Sequence, residues 1–169
     1  MKAFEQFQPA PALVSGDDRL LTSEKAAEMD QAQRPPQETP LKGVRTNIVQ
    51  SIRAFHPHDL QEAAAQLGQH FLYANLAEAQ TRQDVLDMIA AQFTFPAHFG
   101  KNFDALYDCM TDPLHKSGPQ PGFIVVLESI PATAKFDKEA REQLLDIFRD
   151  AADYWNDRKI PFRCFYSFR

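Results

Sequence analysis

Apolar positions fall into regular periods only in the later part of the chain. From His58, HDLQEAAAQLGQH sets Leu60, Ala63, Ala64 and Leu67 at i, i+3, i+4 and i+7, one face of an amphipathic helix that Gly68 can close. Phe71 to Leu76 (FLYANL) reads as a strand. Thr81 offers a hydroxyl cap and Asp84 a third-position acid to a helix over 82–92, with Val85, Met88, Ile89 and Gln92 on one side and Phe93 closing it. After Phe95, Pro96 and Gly100, the spacing predicts a helix from Phe103 to Thr111, then a loop rich in Pro and Gly (Pro113, Gly118, Pro119, Pro121, Gly122). FIVVLES, from Phe123, is apolar and β-branched, as suits a strand covered on both faces. Asp137 offers a cap to a long helix in which Ala140, Leu144, Leu145, Phe148, Ala151, Ala152 and Trp155 follow the 3.6-residue period. Pro161 to Phe168 (PFRCFYSF) closes the chain as an aromatic strand.

The order strand, helix, helix, strand, helix, strand implies parallel strands joined by helical crossovers, hence a small α/β domain of two or three layers. Order begins near Ile48, so the domain is expected over 49–169, with the helix from His58 as an extra N-terminal one. Residues 1–48 are rich in Pro, Gln, Glu, Asp and Ser and bury too little apolar surface to offset the entropy of ordering. They read as a flexible N-terminal extension, in which a short helix over Ser23–Gln31 would be marginal alone.

Composition sharpens this picture. The 169 residues are 44% hydrophobic and include 14 Phe, enough for one sizeable core. A net charge of −5 repels phosphate backbones, so direct nucleic-acid binding is disfavoured, whereas the basic cleft of a nucleic-acid enzyme would attract such a protein. Cys109 and Cys164 lie in a helical and a strand-like segment and suggest no disulfide framework, which fits a reducing cytosol. No signal peptide is evident, because Glu5, Gln6, Gln8, Pro9 and Pro11 break up the N-terminus, and no run approaches the length of a membrane helix.

Signatures of catalysis are mostly missing: there is no phosphate-binding Gly loop, no G-x-S-x-G elbow and no C-x-x-C pair. His56 and His58 could share a metal on a strand, but no third ligand stands near, and surface histidines flanking Pro57 are the better reading. A nuclease built from His98, His115 and Lys101 is conceivable, yet such spacing arises by chance and the surrounding charge is negative. Cys109 is a poor nucleophile candidate, since Asp108 and Asp112 would raise its pKa. The chain is therefore read as no enzyme, with no cofactor and no metal.

The informative stretch is KNFDALYDCMTD. At 100° per residue Phe103, Leu106, Tyr107 and Met110 form an inner face, while Asp104, Asp108 and Asp112 stack at i, i+4 and i+8. Carboxylates so placed repel one another, and those at the C-terminal end oppose the helix dipole. The cost is only tenths of a kcal/mol per pair, so on the pattern alone a solvated acidic face is the better account, ahead of an anionic ridge mimicking RNA phosphates. The long helix carries a related stripe, Asp146, Asp150, Asp153 and Asp157, interrupted by Arg149, for which the solvated reading is the stronger.

FPAHFGKNFDALYDCMTD also resembles the signature segment of the barstar family, intracellular inhibitors of ribonucleases: Pro, an aromatic pair, Gly, x, Asn, apolar, then D-A-L-aromatic-D-C-apolar-T. The likeness extends more loosely from the strand at Phe71, through FIVVLE and the FRDA of the long helix, to the chain end. It implies a small three-stranded parallel sheet packed with helices. It further implies an inhibitor whose acidic helix and preceding loop enter a nuclease cleft. By position, Asp108 corresponds to the central carboxylate that occupies the phosphate site, Asp104 to its companion one turn earlier, and Asp150 to a further charged contact where the family has Glu. Gly100 and Asn102 keep the loop's identity and Thr111 its polar end, with Phe103 and Tyr107 beside the two acids. His98, Tyr107, Lys101 and Pro113 stand where the family has Tyr, Trp, an acid and Trp. The acidic centre is kept and the aromatic rim altered, which implies a nuclease related to barnase rather than barnase itself.

The resemblance thus implies a bacterial immunity or antitoxin-type protein in the cytoplasm, monomeric when free, that binds a ribonuclease with a basic active-site cleft one to one, with no nucleic acid and no membrane as partner. The alternative is a barstar-like regulatory module with a non-nuclease partner, because fold does not fix function.

Overall fold

Helices begin where the sequence supplies something to satisfy their first N–H groups. The computed structural model describes residues 41–112 and 121–169, all within one unit, Thr39–Arg169. Four helices occur among them: α1 (Pro57–Leu67), α2 (Arg82–Gln92), α3 (Phe103–Met110) and α4 (Lys138–Asp157). α1 has no side-chain cap but opens on Pro57, whose missing N–H would be unsatisfied there anyway, and it ends at Gly68 in the left-handed region (φ 68°). Thr81 and Asp84 form a reciprocal capping box on α2. The carboxylate of Asp137 accepts from the Ala140 N–H at 3.0 Å to start α4.

The strands are β1 (Ile48–Ser51), β2 (His70–Asn75), β3 (Phe123–Ile130) and β4 (Phe162–Phe168), in spatial order β1-β4-β3-β2, all parallel. The three-stranded expectation is therefore corrected to four strands among the described residues. IVQS escaped the sequence reading because four half-buried residues on a sheet edge show no core alternation, and their partner lies at the other end of the chain (Ile48 opposite Arg163).

Side-chain alternation sorts the sheet into two faces. Leu72 and Ala74 of β2, Phe123, Val125 and Leu127 of β3, and Phe162 and Cys164 of β4 pack under α2, α3 and α4 in the main core. Ile124, Val126 and Phe165 face the other way and are covered by Leu60, Ala63 and Ala64 of α1 together with Leu41. Among the described residues the domain is thus three layers, with α1 the one helix on that side. The outer edge of β2 is closed by Gln92, whose side chain exchanges two hydrogen bonds with the Asn75 backbone at 2.8 and 2.9 Å.

Residues 41–48 belong to this architecture, earlier than the boundary drawn from composition. Arg163, a buried residue of β4, donates from its guanidinium to the carbonyls of Arg45 and Val44, and burial pushes its pKa below the ordinary value. Asn47 donates to Ala152 and Ile160, tying the start of β1 to the end of α4. Neither clasp has a hydrophobic signature, which is why this stretch read as extension. The Ser23–Gln31 helix and the remainder of that extension lie outside the described residues, as do most of the Pro/Gly-rich loop and His115.

One contact sets α3 against α4. The buried Trp155 indole donates to the Met110 carbonyl at 2.9 Å, satisfying an acceptor at the C-terminal end of α3, while its ring lies 4.9 Å from that of Phe123. Trp155→Phe keeps an aromatic ring but removes the donor and part of the indole's volume. It is expected to cost about 1–3 kcal/mol for the unpaired acceptor and a further amount for the space left behind, read as a lower urea midpoint at unchanged denaturant slope.

On the α1 side, the Tyr73 hydroxyl donates to the Glu128 carboxylate across β2 and β3. Burial first, then this acceptor and its charge, raise the phenol pKa from 10 to about 12. The folded state therefore holds a proton that the unfolded chain has lost. That contribution is complete below about pH 10 and disappears as pH rises through the folded value near 12. Between those two values wild type should lose stability more steeply than Tyr73→Phe, in denaturant melts taken at successive pH; parallel slopes would refute the assignment.

Candidate functional site: an acidic groove between two helices

The loop before α3 is pinned by its aromatics. Phe99 is buried with its ring 5.1 Å from that of Phe95, which is itself edge-on to Phe93. The Phe99 N–H donates to the Pro96 carbonyl, and His98 is left exposed at the turn. Gly100 packs so close to the first turn of α3 that an added Cβ would stand 3.2 Å from that of Ala105. Lys101 takes a left-handed backbone (φ 53°) and sets its ammonium 3.5 Å from Asp87 of α2, so the loop's cation is engaged outside the acidic helix. Asn102 then caps α3, its side-chain oxygen accepting from the Ala105 N–H at 2.7 Å.

Within α3, Leu106 and Met110 are buried, Phe103 and Tyr107 are half-buried, and Asp104 and Asp108 are exposed. The expected inner face therefore divides into two core residues and two that form a wall. That wall and the facing side of α4 enclose a groove of about 660 Å³, lined by Phe103, Asp104, Tyr107 and Asp108 from α3 and by Ile147, Asp150, Asp153, Tyr154 and Asp157 from α4. A second hollow of about 330 Å³ lies between the loop and α3, bounded by Pro96, His98, Phe99, Gly100, Ala105, Asp108, Cys109 and Asp112. Asp108 lines both, a ridge between two depressions.

Five carboxylates share the larger groove, and among the described residues none has an ion pair or a side-chain hydrogen bond. Neither α3 nor α4 carries a basic residue in its last turn, so Asp108, Asp153 and Asp157 add to the negative ends of two helix dipoles. Arg149, which the sequence placed amid the α4 stripe, turns to Asp146 (2.7 Å) and Glu142 (3.8 Å) and pairs with none of the groove's acids. Two other guanidinium groups sit on the groove's aromatic side chains. Arg82 lies 4.6 Å over the Phe103 ring while donating to Gln143, and Arg158 lies 3.5 Å over the Tyr154 ring while donating to the Tyr154 carbonyl.

The structure brings Asp104, Asp108, Asp150, Phe103 and Tyr107 into one groove, and His98 and Gly100 into the adjoining hollow with Asp108. Asn102 serves as the cap of α3. Thr111 enters neither depression: it is buried, and its hydroxyl donates to the Tyr107 carbonyl at 2.8 Å. Asp153 and Asp157, read from sequence as a solvated face, and Tyr154, not singled out at all, line the groove; their i+3, i+4 and i+7 spacing from Asp150 was the available signal.

The other candidate chemistries are dispersed. His58 stands 3.1 Å from Glu62 on the surface of α1, and no group of three His, Cys, Asp or Glu among the described residues is arranged to hold a metal ion. Burial, then Asp112 and Asp108, raises the Cys109 pKa and weakens it as a nucleophile, and Cys164 is fully buried; both thiols are free. Among the described residues no helix is long and apolar enough to cross a membrane.

No curated protein matches the chain. A family model does: that described as barstar, the barnase inhibitor, over residues 69–167. The match covers more than half the sequence and spans β2 through β4, with both acidic helices and the groove between them. The chain belongs to the barstar family.

Proposed function

We propose that the protein inhibits a ribonuclease by seating α3 and the loop before it in the nuclease's active-site cleft, as a mimic of the RNA phosphates. Asp108, the ridge between two depressions, takes the position of the scissile phosphate. Asp104, one turn earlier, and Asp150 from α4 pair with flanking cations. His98, Gly100 and Asn102 shape the loop edge, Phe103 and Tyr107 pack against the rim of the cleft, and Thr111 holds the end of the helix. The complex is one to one, forms in the cytoplasm with a protein that is monomeric when free, and needs no cofactor and no reaction by this chain.

The observation that carries this reading is the set of carboxylates without internal partners, in a chain of an inhibitor family. A carboxylate already paired within its own fold would have to break that pair before meeting a partner. These give up only hydration, which a basic cleft offsets with charge-assisted hydrogen bonds. The same surface repels RNA, so the target is the enzyme and not its substrate.

Inhibition of barnase and of other small basic ribonucleases, followed with a fluorogenic RNA substrate, tests the proposal. Asp108→Ala should weaken inhibition of the cognate enzyme by about 2–5 kcal/mol, the range for truncating one partner of a buried interfacial charge pair. Asp104→Ala should lose a smaller amount, and Asp146→Asn, outside the groove, almost none. Wild-type inhibition by Asp104→Ala and Asp108→Ala alike would defeat the proposed site.

Charge complementarity makes a second, kinetic demand. Raising ionic strength shortens the reach of the acidic groove, so the association rate in stopped flow should fall steeply with salt while dissociation changes little. A rate indifferent to salt would remove electrostatic attraction from the account.

A further inference from the structure

Backbone groups along β2 alternate between its two sides. The His70 N–H donates to the Gly122 carbonyl and the Leu76 N–H to that of Glu128, so His70, Leu72 and Ala74 turn their N–H and carbonyl groups to β3. Phe71, Tyr73 and Asn75 turn theirs outward, and β2 is an edge of the sheet. Gln92 closes that edge at Asn75 alone. Its amide accepts from the Asn75 N–H and donates to the Asn75 carbonyl, the two bonds that a residue of an adjoining strand would make. The N–H and carbonyl groups of Phe71 and Tyr73 have no such partner among the described residues.

The side chains beside these groups leave room for an occupant. α1 sits over Ile124 and Val126 of β3 and Phe165 of β4, which leaves the β2 flank of that face to Phe71 and Tyr73. Both are half-buried, with rings parallel to within 10° and centres 6.4 Å apart. Together with Pro57, His58, Gln61 and Gln92 they line a hollow of about 370 Å³. Its margin is acidic, since the Tyr73 hydroxyl donates to Glu128 and His58 stands 3.1 Å from Glu62.

We infer that the free edge of β2 receives an extended segment of a partner protein as a fifth strand, with one apolar side chain of that segment in the hollow. Two donors and two acceptors repeat along the edge at about 7 Å, the two-residue spacing of a strand, and an extended backbone is the ligand that matches them. The Gln92 side chain is an amide already seated at the next position of the same edge. A helix spends its backbone groups on itself and cannot supply the match. Side chains of the segment that face α1 meet Phe71 and Tyr73 as cross-strand neighbours. Glu62 and Glu128 disfavour an acid beside them, so the segment is apolar at the hollow and neutral or basic next to it. The acidic groove lies between two helices on the other face of the sheet, so both sites can be filled at once, and the inference does not depend on the ribonuclease reading.

Amide hydrogen exchange on the full chain is the first test. The Phe71 and Tyr73 amides should exchange roughly tenfold or more faster than those of Leu72 and Ala74. Twelve-residue peptides are then selected on the full chain from a displayed random library and synthesised with blocked ends. At a free concentration ten times its Kd, a selected peptide should slow the Phe71 and Tyr73 amides roughly tenfold. Two versions of that peptide, N-methylated on alternate residues, should separate, one binding like the parent and the other not, because an added strand turns only every second amide to its neighbour. Gln61→Trp, an exposed position of α1, should fill the hollow and abolish binding. Amides at 71 and 73 as slow as those at 72 and 74 in the free chain overturn the inference: the edge is then covered by the chain itself or, where the slowing grows with concentration alongside dimers in sedimentation, by a second copy. A library that yields no peptide protecting Phe71 and Tyr73, N-methylated versions that bind alike, or binding unaltered by Gln61→Trp overturns it as well.

Discussion

The packing of α3 on α4 is the constraint from which the rest of the site follows. An eight-residue helix is too short to be stable alone and holds its place only through tertiary contacts. Leu106 and Met110 bury its inner side, Asn102 caps its first turn, and the Trp155 indole meets the carbonyl of its last residue, Met110, from across the interface. With backbone and apolar face so secured, the outer side chains need contribute nothing to folding. Five carboxylates can then be left facing one another across a groove, a cost of tenths of a kcal/mol per repelling pair that the α3–α4 contacts offset. The local basic residues accommodate this arrangement: Lys101 engages Asp87 and Arg149 engages Asp146 and Glu142.

Much of the fold was legible because local physics and global architecture agree. Thr81 with Asp84, Asp137, and Gly68 mark helix ends at the residues where the structure has them. The unbroken apolar run of FIVVL reports a strand covered on both faces, and β3 is that central strand. What stayed hidden depends on residues far apart in sequence. β1 is recognisable only by its pairing with β4, and residues 41–47 only by the polar clasps of Arg163 and Asn47, neither of which leaves a periodic trace.

The site divides in the same way. Asp104 and Asp108 stand on one short helix, so helical spacing brought them together. That spacing was silent on which part of α4 faces them. By spacing alone Asp146 and Asp150 look equivalent, and only the family resemblance separates them; Asp150 enters the groove while Asp146 is held by Arg149 outside it. Thr111 illustrates the converse: a polar residue at the end of a functional helix whose hydroxyl is spent on closing that helix.

The position of β1 has a consequence for how the molecule is made. A ribosome delivers Ile48–Ser51 early, but the strand it pairs with is the last element of the chain. Residues 69–167 hold both acidic helices and three of the strands, while β1 adds an edge whose Val49 packs on the main core and whose neighbour Asn47 braces the end of α4. Such pairing between chain ends is slow to form, because loop closure across the whole domain precedes any gain in contact. The parallel edge joined by Ile48 and Arg163 is therefore a seam between the two ends of the domain, and it can close only once β4 has been synthesised.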